Sequence, residues 1–440
     1  MANGTRETLL AVYDAAVHAA HPDGCLGQHL PNPPAAGSLI VIGAGKAGAA
    51  MAAAAERHYR ERGILDRVVG ALTAPHGYAA LLGPRSPRRF QIVEGRHPVP
   101  DDGSVKAAET ALQLASKASE RDLVLVLLSG GASALWAAPV AGVSLEDKTA
   151  LTRGLLKSGA DIHEMNTVRR HLSRIKGGRL ARAAGQASLL TLAISDVPGD
   201  DPATIGSGPT VPDPTTLADA RAVIAKRQPR MESLGLPVPT SILKALDDAA
   251  NETPKPGDPA FARAEYRIVA TPAASLEAAA ARATALGYQP VNLGDTITGE
   301  AREIARRHAL LALEAKSARR KVAIISGGEL EVTARNRSGK GGRSQEYALA
   351  LAIALNGSPG ISAIAADTDG IDGGEGSTSD PAGAVVLHDI LAAAKQRHLD
   401  ATKFLDDNNA TPYFSALGAL VVRGPTHTNV NDFRCILVDP

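Results

Sequence analysis

Ser38-Leu-Ile-Val-Ile42 runs into Gly43-Ala-Gly45-Lys46-Ala-Gly48 and then into the alanine-rich Ala49–Ala55. A short uninterrupted apolar run, a glycine turn and a helix-forming stretch, in that order, spell a buried strand, a tight turn and a helix. The unit recurs along the chain. Arg67–Thr73 reads as the next strand, Asp122–Leu128 ends in Ser129-Gly130-Gly131, and Leu189–Ile194 ends in Ser195-Asp196-Val-Pro-Gly-Asp200. Strand–helix units resume at Tyr266–Ala270, at Val322–Ile325 before Ser326-Gly-Gly328, and at Ile361–Ala365. Continuous apolar runs alternating with helical stretches predict parallel strands buried on both faces, an α/β fold. An amphipathic helix over Arg6–Ala20 leads the chain. The proline-bearing stretch Gln228–Asp258 reads as a hinge or linker, which places a boundary between two domains around residues 230 to 265.

The chain has 440 residues, enough for about two or three domains by the usual size prior. Its hydrophobic content is 44% with only 3% aromatic residues, so the core is aliphatic and alanine-rich. Lys and Arg total 47 against 46 Asp and Glu, a net charge of +1, which leaves no basic field for nucleic acid. No uncharged apolar run reaches the roughly 20 residues that cross a membrane, and Met1–Glu7 has no apolar signal core. Two cysteines near opposite ends, Cys25 and Cys435, suit a reducing compartment. A cytoplasmic enzyme of small molecules is the expectation, and nothing here opposes a homodimer.

Gly43, Gly45 and Gly48 fit G-x-G-x-x-G between a strand and a helix, the pattern of a backbone approaching phosphate closely. Alone it suggests a dinucleotide site. However, the acid that should close the next strand about 20 residues on is missing: Asp66 opens that strand, and its far end reads Leu72-Thr73-Ala74-Pro75. Lys46 inside the loop suits a phosphoryl group gathering charge. The loop is not a Walker A, because Ala47 stands where Ser or Thr would bind magnesium. Ser129, Gly130 and Gly131 could form an anion-binding nest of amides. A hydrolase role for Ser129 is disfavoured, since Leu127-Leu128 replace the glycine of the nucleophile elbow. In Ser338-Gly-Lys340-Gly341-Gly342-Arg343, amides, helix dipole and guanidinium converge on one spot suited to phosphate or carboxylate.

Asp196 follows a strand, where α/β proteins place ligands. Asp367-Thr-Asp369-Gly-Ile-Asp372 also follows a strand; it is either an acid turn capped by its own side chains or a site for magnesium shared with phosphate oxygens.

Taken together, the chain resembles the class II glycerate kinase family, whose C-terminal part is known as the MOFRL domain and whose relatives are often labelled hydroxypyruvate reductase. The blocks VIGAGKAG, HPVPD, LLSGGASAL, ADIHEMNTVRRHLSRIKGGRLA, ISDVPGDDPATIGSGPTVPDPTT, ETPKPGDP, SGGELEVT, GKGGRSQEYALALA, DTDGIDG and GPTHTNVND carry that resemblance nearly end to end. It implies two different three-layer α/β/α domains, a Rossmann-like one over 1–250 and a MOFRL one over 251–440, with the active site in the cleft between them. It further implies transfer of the γ-phosphoryl group of ATP, with Mg2+, to the C2 hydroxyl of D-glycerate. Carried onto matching positions, Lys46, Asp196 and Arg343 are the catalytic candidates, with Glu329 and Asn429 as binding residues and Asp369 as the metal ligand. Gly43, Gly45, Gly341 and Gly342 belong to the two binding loops, and the Ser129–Ala132 amides with Arg169 or Arg170 would grip the substrate carboxylate. Arg96, Ser344, Asp367 and His427 depart from the family pattern. An NAD(P)H-dependent hydroxypyruvate reductase and a non-catalytic sugar-acid sensor are the rival readings.

Overall fold

The computed structural model of the chain describes residues 2–336, 338–374 and 377–440. The first six strands, β1 (Leu39–Ala44), β2 (Val68–Pro75), β3 (Gln91–Gly95), β4 (Leu123–Leu128), β5 (Ser188–Ile194) and β6 (Ala264–Ala270), form one sheet in the order β3-β2-β1-β4-β5-β6. β1 pairs in parallel with both β2 and β4, β2 with β3, and β4 with β5. This is the doubly wound dinucleotide-fold order, and its winding reverses between β1 and β4, where such sheets open a crevice at the carboxyl ends. Every residue of β1 is buried, as its unbroken apolar run requires. Ile40, Ile42, Val124 and Val126 share a core with Ala107, Ala108 and Ala111 of the helix Asp102–Ser116. The buried alanines of the helix Gly48–Glu61 let it lie close against β2.

Four helices, Leu145–Lys157, Ile162–His171, Leu217–Ser233 and Thr240–Asp247, build a separate small core around Leu151, Met165, Ile224 and Ile242. The stretch expected to be a linker therefore belongs to a packed body. Its prolines stiffen a pinned loop: the Asp213 amide donates to Pro254 O at 3.0 Å, and Thr253 Oγ1 donates to Asp213 at 3.1 Å.

The later strands are β7 (Gln289–Asn292), β8 (Gly299–Glu300), β9 (Val322–Ser326), β10 (Leu330–Glu331), β11 (Ile361–Asp367), β12 (Gly383–Val386), β13 (Leu420–Val421) and β14 (Asp432–Val438). β8 and β10 make a short parallel pair. The others form a sheet in the order β13-β12-β11-β14-β9-β7, in which only the β7–β9 pairing is parallel. The expectation of parallel strands thus fails here. Helical layers cover both faces, so β9, β11 and β14 are wholly buried; β9 and β11 are almost entirely apolar whichever way they point, while β14 also buries the Asp432–Arg434 pair.

The contacts divide the chain into one compact unit of Cys25–Val269 and another of Met1–Gly24 with Ala270–Pro440. The boundaries expected at 250/251 differ in two respects. Tyr266–Ala270 completes the first sheet instead of opening the second. The leading helix, Ala2–Ala20, joins the second unit, where Leu9, Val12, Tyr13 and Ala16 pack with Leu276, Ala279 and Phe433. Among the described residues no helix is long and apolar enough to cross a membrane, and Cys25 and Cys435 are buried and not joined in a disulfide.

Candidate functional site

In the first unit the turn after β1 and the turn after β4 lie side by side at the switch point and are stitched together. The Ser129 amide donates to Ala44 O (3.1 Å) and the Lys46 amide to Gly130 O (2.8 Å). The Ala47 amide donates to Ser129 Oγ at 3.0 Å, and the Gly45 amide to Thr73 O at 3.2 Å. Gly45 has φ +147°, and a Cβ there would sit 1.9 Å from Ser129 Oγ. Added methyl groups would meet Leu127 O at 2.3 Å from Gly43 and Thr73 O at 2.1 Å from Gly48. The three glycines therefore serve close packing of turn, helix and strands. The loop amides that a dinucleotide would need are already donated within the protein. Ser129, expected to offer its amide to a ligand, instead uses amide and hydroxyl as the clamp. β2 ends in Thr73-Ala74-Pro75 with no acid, as the sequence indicated.

The Lys46 side chain passes beside Gly131 and His97: a Cβ on Gly131 would lie 3.4 Å from Lys46 Cγ and 3.0 Å from His97 Cδ2. Beyond Gly131 opens a cleft of about 500 Å³, bordered by His97, Lys148, Arg153, Lys157, Arg169 and Lys176, with no Asp or Glu among its described lining residues. Burial, reinforced by Lys46, pushes the His97 imidazole down to about 4, so it is neutral at pH 7. Lys148 is buried and donates to Leu172 O at 3.0 Å; desolvation, then Arg169 and Arg179, lower it to about 7. Lys176 Nζ donates to Ser133 O (2.7 Å) and Trp136 O (3.0 Å). The two arginines proposed as alternatives part company here. Arg170 is buried and spent on Asp213 (3.0 Å) and Ala203 O (2.7 Å), whereas Arg169 borders the cleft. Sequence reasoning missed His97, Lys148 and Lys176; only His97, inside HPVPD, lay in a block short enough to draw notice.

Asp196 stands half-buried just past β5, beside β4, at the same sheet edge as the two turns. Burial, then the charges of Asp201 and Asp196, raises the pKa of the Tyr266 hydroxyl on β6, which has no hydrogen-bond partner among the described residues. Asp201 itself caps its own turn through Ala203 N (3.0 Å).

In the second unit Arg343 opens the helix Arg343–Leu355 but is not free for an anion. Its guanidinium donates to Asp432 Oδ1 at 2.6 Å, Glu329 Oε1 at 2.5 Å and Asp367 Oδ2 at 2.9 Å. These carboxylates raise its affinity for its proton against the opposing effect of burial. The helix N-terminus is occupied as well. Buried Asp372 accepts from the Ser344 amide (2.9 Å), the Gln345 amide (2.8 Å) and Gln345 Nε2 (3.0 Å). The expected anion site at this helix start is therefore filled by the protein's own carboxylate. Gly342 is needed because a Cβ would strike Asp372 O at 2.3 Å, while Gly341 has 3.5 Å of room. Asp369 accepts from the Ile371 amide at 2.8 Å, the capped-turn alternative, and Asn429 accepts from the Asn431 amide at 3.2 Å. Among the described residues no group of three or more His, Cys, Asp or Glu side chains is arranged to hold a metal ion.

Residues 8–246 match the family described as a domain of unknown function, DUF4147, and residues 322–432 match the MOFRL family. A protein of Agrobacterium vitis that carries a hydroxypyruvate reductase name is 47% identical over 438 residues, covering 98% of this chain and 94% of that one. The D-glycerate 2-kinase of Thermotoga maritima is 35% identical over 431 residues, 97% of each chain. The crystal structure of a glycerate kinase from Thermotoga maritima aligns with a TM-score of 0.85 at 34% identity, covering 99% of this chain and 100% of that one.

Proposed function

The chain belongs to the family that joins a DUF4147 domain to a MOFRL domain, and from that premise we infer that it is a glycerate 2-kinase using ATP as phosphoryl donor. The observation that carries the reading within the fold is the β1 turn. Its amides are donated internally, its strand partner lacks the ribose-binding acid, and it presents Lys46 next to an acid-free cationic cleft. That suits handling of charged phosphate and carboxylate groups and does not suit a nicotinamide dinucleotide.

In the reaction the C2 oxygen of D-glycerate attacks the γ-phosphorus of ATP, the bond to the β-phosphate oxygen breaks, and 2-phosphoglycerate and ADP form. We assign Asp196 to accept the hydroxyl proton and Lys46 to neutralise charge on the transferring group. Arg169 is assigned to anion binding. Arg343 organises Glu329, Asp367 and Asp432 into one rigid cluster. Asp369 is the residue assigned to Mg2+. One or two carboxylates with phosphate oxygens is how magnesium is commonly held. When bound, the ion supplies neutralisation of phosphate charge.

The test incubates purified protein with D-glycerate, ATP and Mg2+, and separately with hydroxypyruvate and NADH or NADPH. Formation of 2-phosphoglycerate is expected. Nicotinamide oxidation without ATP consumption would refute the kinase.

A further inference from the structure

Resting on the kinase reading, we propose that the cleft of the first unit lined by Lys148, Arg169 and Lys176 binds the phosphate chain of the nucleoside triphosphate. Three observations converge on a polyanion. The cleft, about 500 Å³, has the size of a small-molecule site. Lys148 and Lys176 are 8% and 2% exposed, and the hydrogen bonds their ammonium groups donate go only to main-chain carbonyls, of Leu172, Ser133 and Trp136. Buried cations without carboxylates are unfavourable until an anion joins them.

The count of charges decides which anion. Arg153 and Lys157 add two exposed cations at the rim, so five basic side chains besides His97 face a space with no acid among its described lining residues. The single carboxylate of glycerate would leave most of that charge unmatched, whereas a triphosphate matches it. The nearby acids are spoken for: Asp213 is held by Arg170, and Glu252 by His171 and Lys255. Pro98, Val99 and Leu156 give the same cleft an apolar wall, suited to the rest of a nucleotide. Position agrees as well. Gly131 lines the cleft and lies beside Lys46, so a phosphate chain held in the cleft is within reach of the lysine assigned to the transferred group.

The experiment titrates ADP into the full chain without any hydroxy acid, for wild type, Lys148→Met, Arg169→Ala and the exposed-rim variant Arg153→Ala. Lys148→Met and Arg169→Ala should each weaken ADP binding by roughly tenfold or more, as expected for a lost charged hydrogen bond. Arg153→Ala, which leaves the buried groups in place, should weaken it by a smaller factor. At pH 8, calorimetry in buffers of different ionisation enthalpy should show proton uptake on ADP binding. Lys148, lowered to about 7 by burial, Arg169 and Arg179, and Lys176, lowered by burial, Lys148 and Arg169, are recharged by the anion; the uptake should shrink in Lys148→Met, leaving the share of Lys176. The KM for D-glycerate should stay unchanged. A raised KM for D-glycerate with unaltered ADP affinity would assign the cleft to the carboxylate and overturn the proposal. So would unaltered ADP affinity in folded Arg153→Ala and Lys148→Met together. ADP binding requires no turnover of glycerate, so a failure to phosphorylate glycerate with these binding results intact would sink the substrate reading alone.

Discussion

Gly45→Ala tests whether the β1 turn is a clamp or an open phosphate loop. The substitution carries two penalties. Gly45 has φ +147°, a conformation that costs a residue with a Cβ about 1–3 kcal/mol. The new methyl would also sit 1.9 Å from Ser129 Oγ and 2.6 Å from Ser129 O, so backbone must move, adding about 1–3 kcal/mol. A total near 4 kcal/mol should lower the melting temperature of the first unit by roughly 8–16 °C, at about 2–4 °C per kcal/mol for a body of this size. Gly77→Ala is the control. It shares a positive φ (+80°) but has nothing within 4 Å of its added carbon, so it should lose only about 1 kcal/mol. Ser129→Ala in the Gly45→Ala background should recover part of the loss, because it removes the closer of the two clashing atoms. The assay is thermal unfolding of the three variants and wild type under one buffer. A Gly45→Ala protein as stable as Gly77→Ala would refute the stitched turn and reopen the loop as a dinucleotide site.

Lys46→Ala should lower kcat by roughly 10²–10³-fold or more with an unchanged melting temperature; near-normal turnover would remove Lys46 from the chemistry. Arg343→Ala leaves Glu329, Asp367 and Asp432 without their shared cation. Such a loss should destabilise the second unit by roughly 3–5 kcal/mol, read by denaturant unfolding, and a stability within error of wild type would contradict the network. His97 is depressed from 6.5 to about 4 in the folded chain. Its contribution is therefore fully present above pH 6.5 and is lost as pH falls towards 4, about 3 kcal/mol for a shift of this size. His97→Gln should flatten the stability profile across that window, and an unaltered acid slope would show that His97 titrates normally.

Much of the fold was legible because the relevant signals are local. The runs Leu39–Ala44, Leu123–Leu128 and Ser188–Ile194, each closed by a glycine or turn segment, announce buried strands wherever they lie in space. The missing acid after β2 was legible for the same reason. Strand direction in the second sheet was not, since β9 and β11 are buried on both faces and read alike whether they run parallel or antiparallel, and β14 is interrupted by Asp432 and Arg434. Lys148 carried no motif, and its character comes from burial beside Arg169 and Lys176.

The amino-acid sequence by itself determined an α/β chain with glycine turns at strand ends, an odd lysine in the first turn and the family motifs. Tertiary structure alone decided what those turns do. Ser129 lies 82 residues from the Ala47 amide it accepts, Asp432 lies 89 from Arg343, and Asp372 lies 28 from the Ser344 amide. Hydrogen bonds across such separations depend on which strands become neighbours, and no local pattern encodes that. The same long-range pairing occupied the amides of two apparent anion sites and left, beside Lys46, a cleft with no acid among its described lining residues.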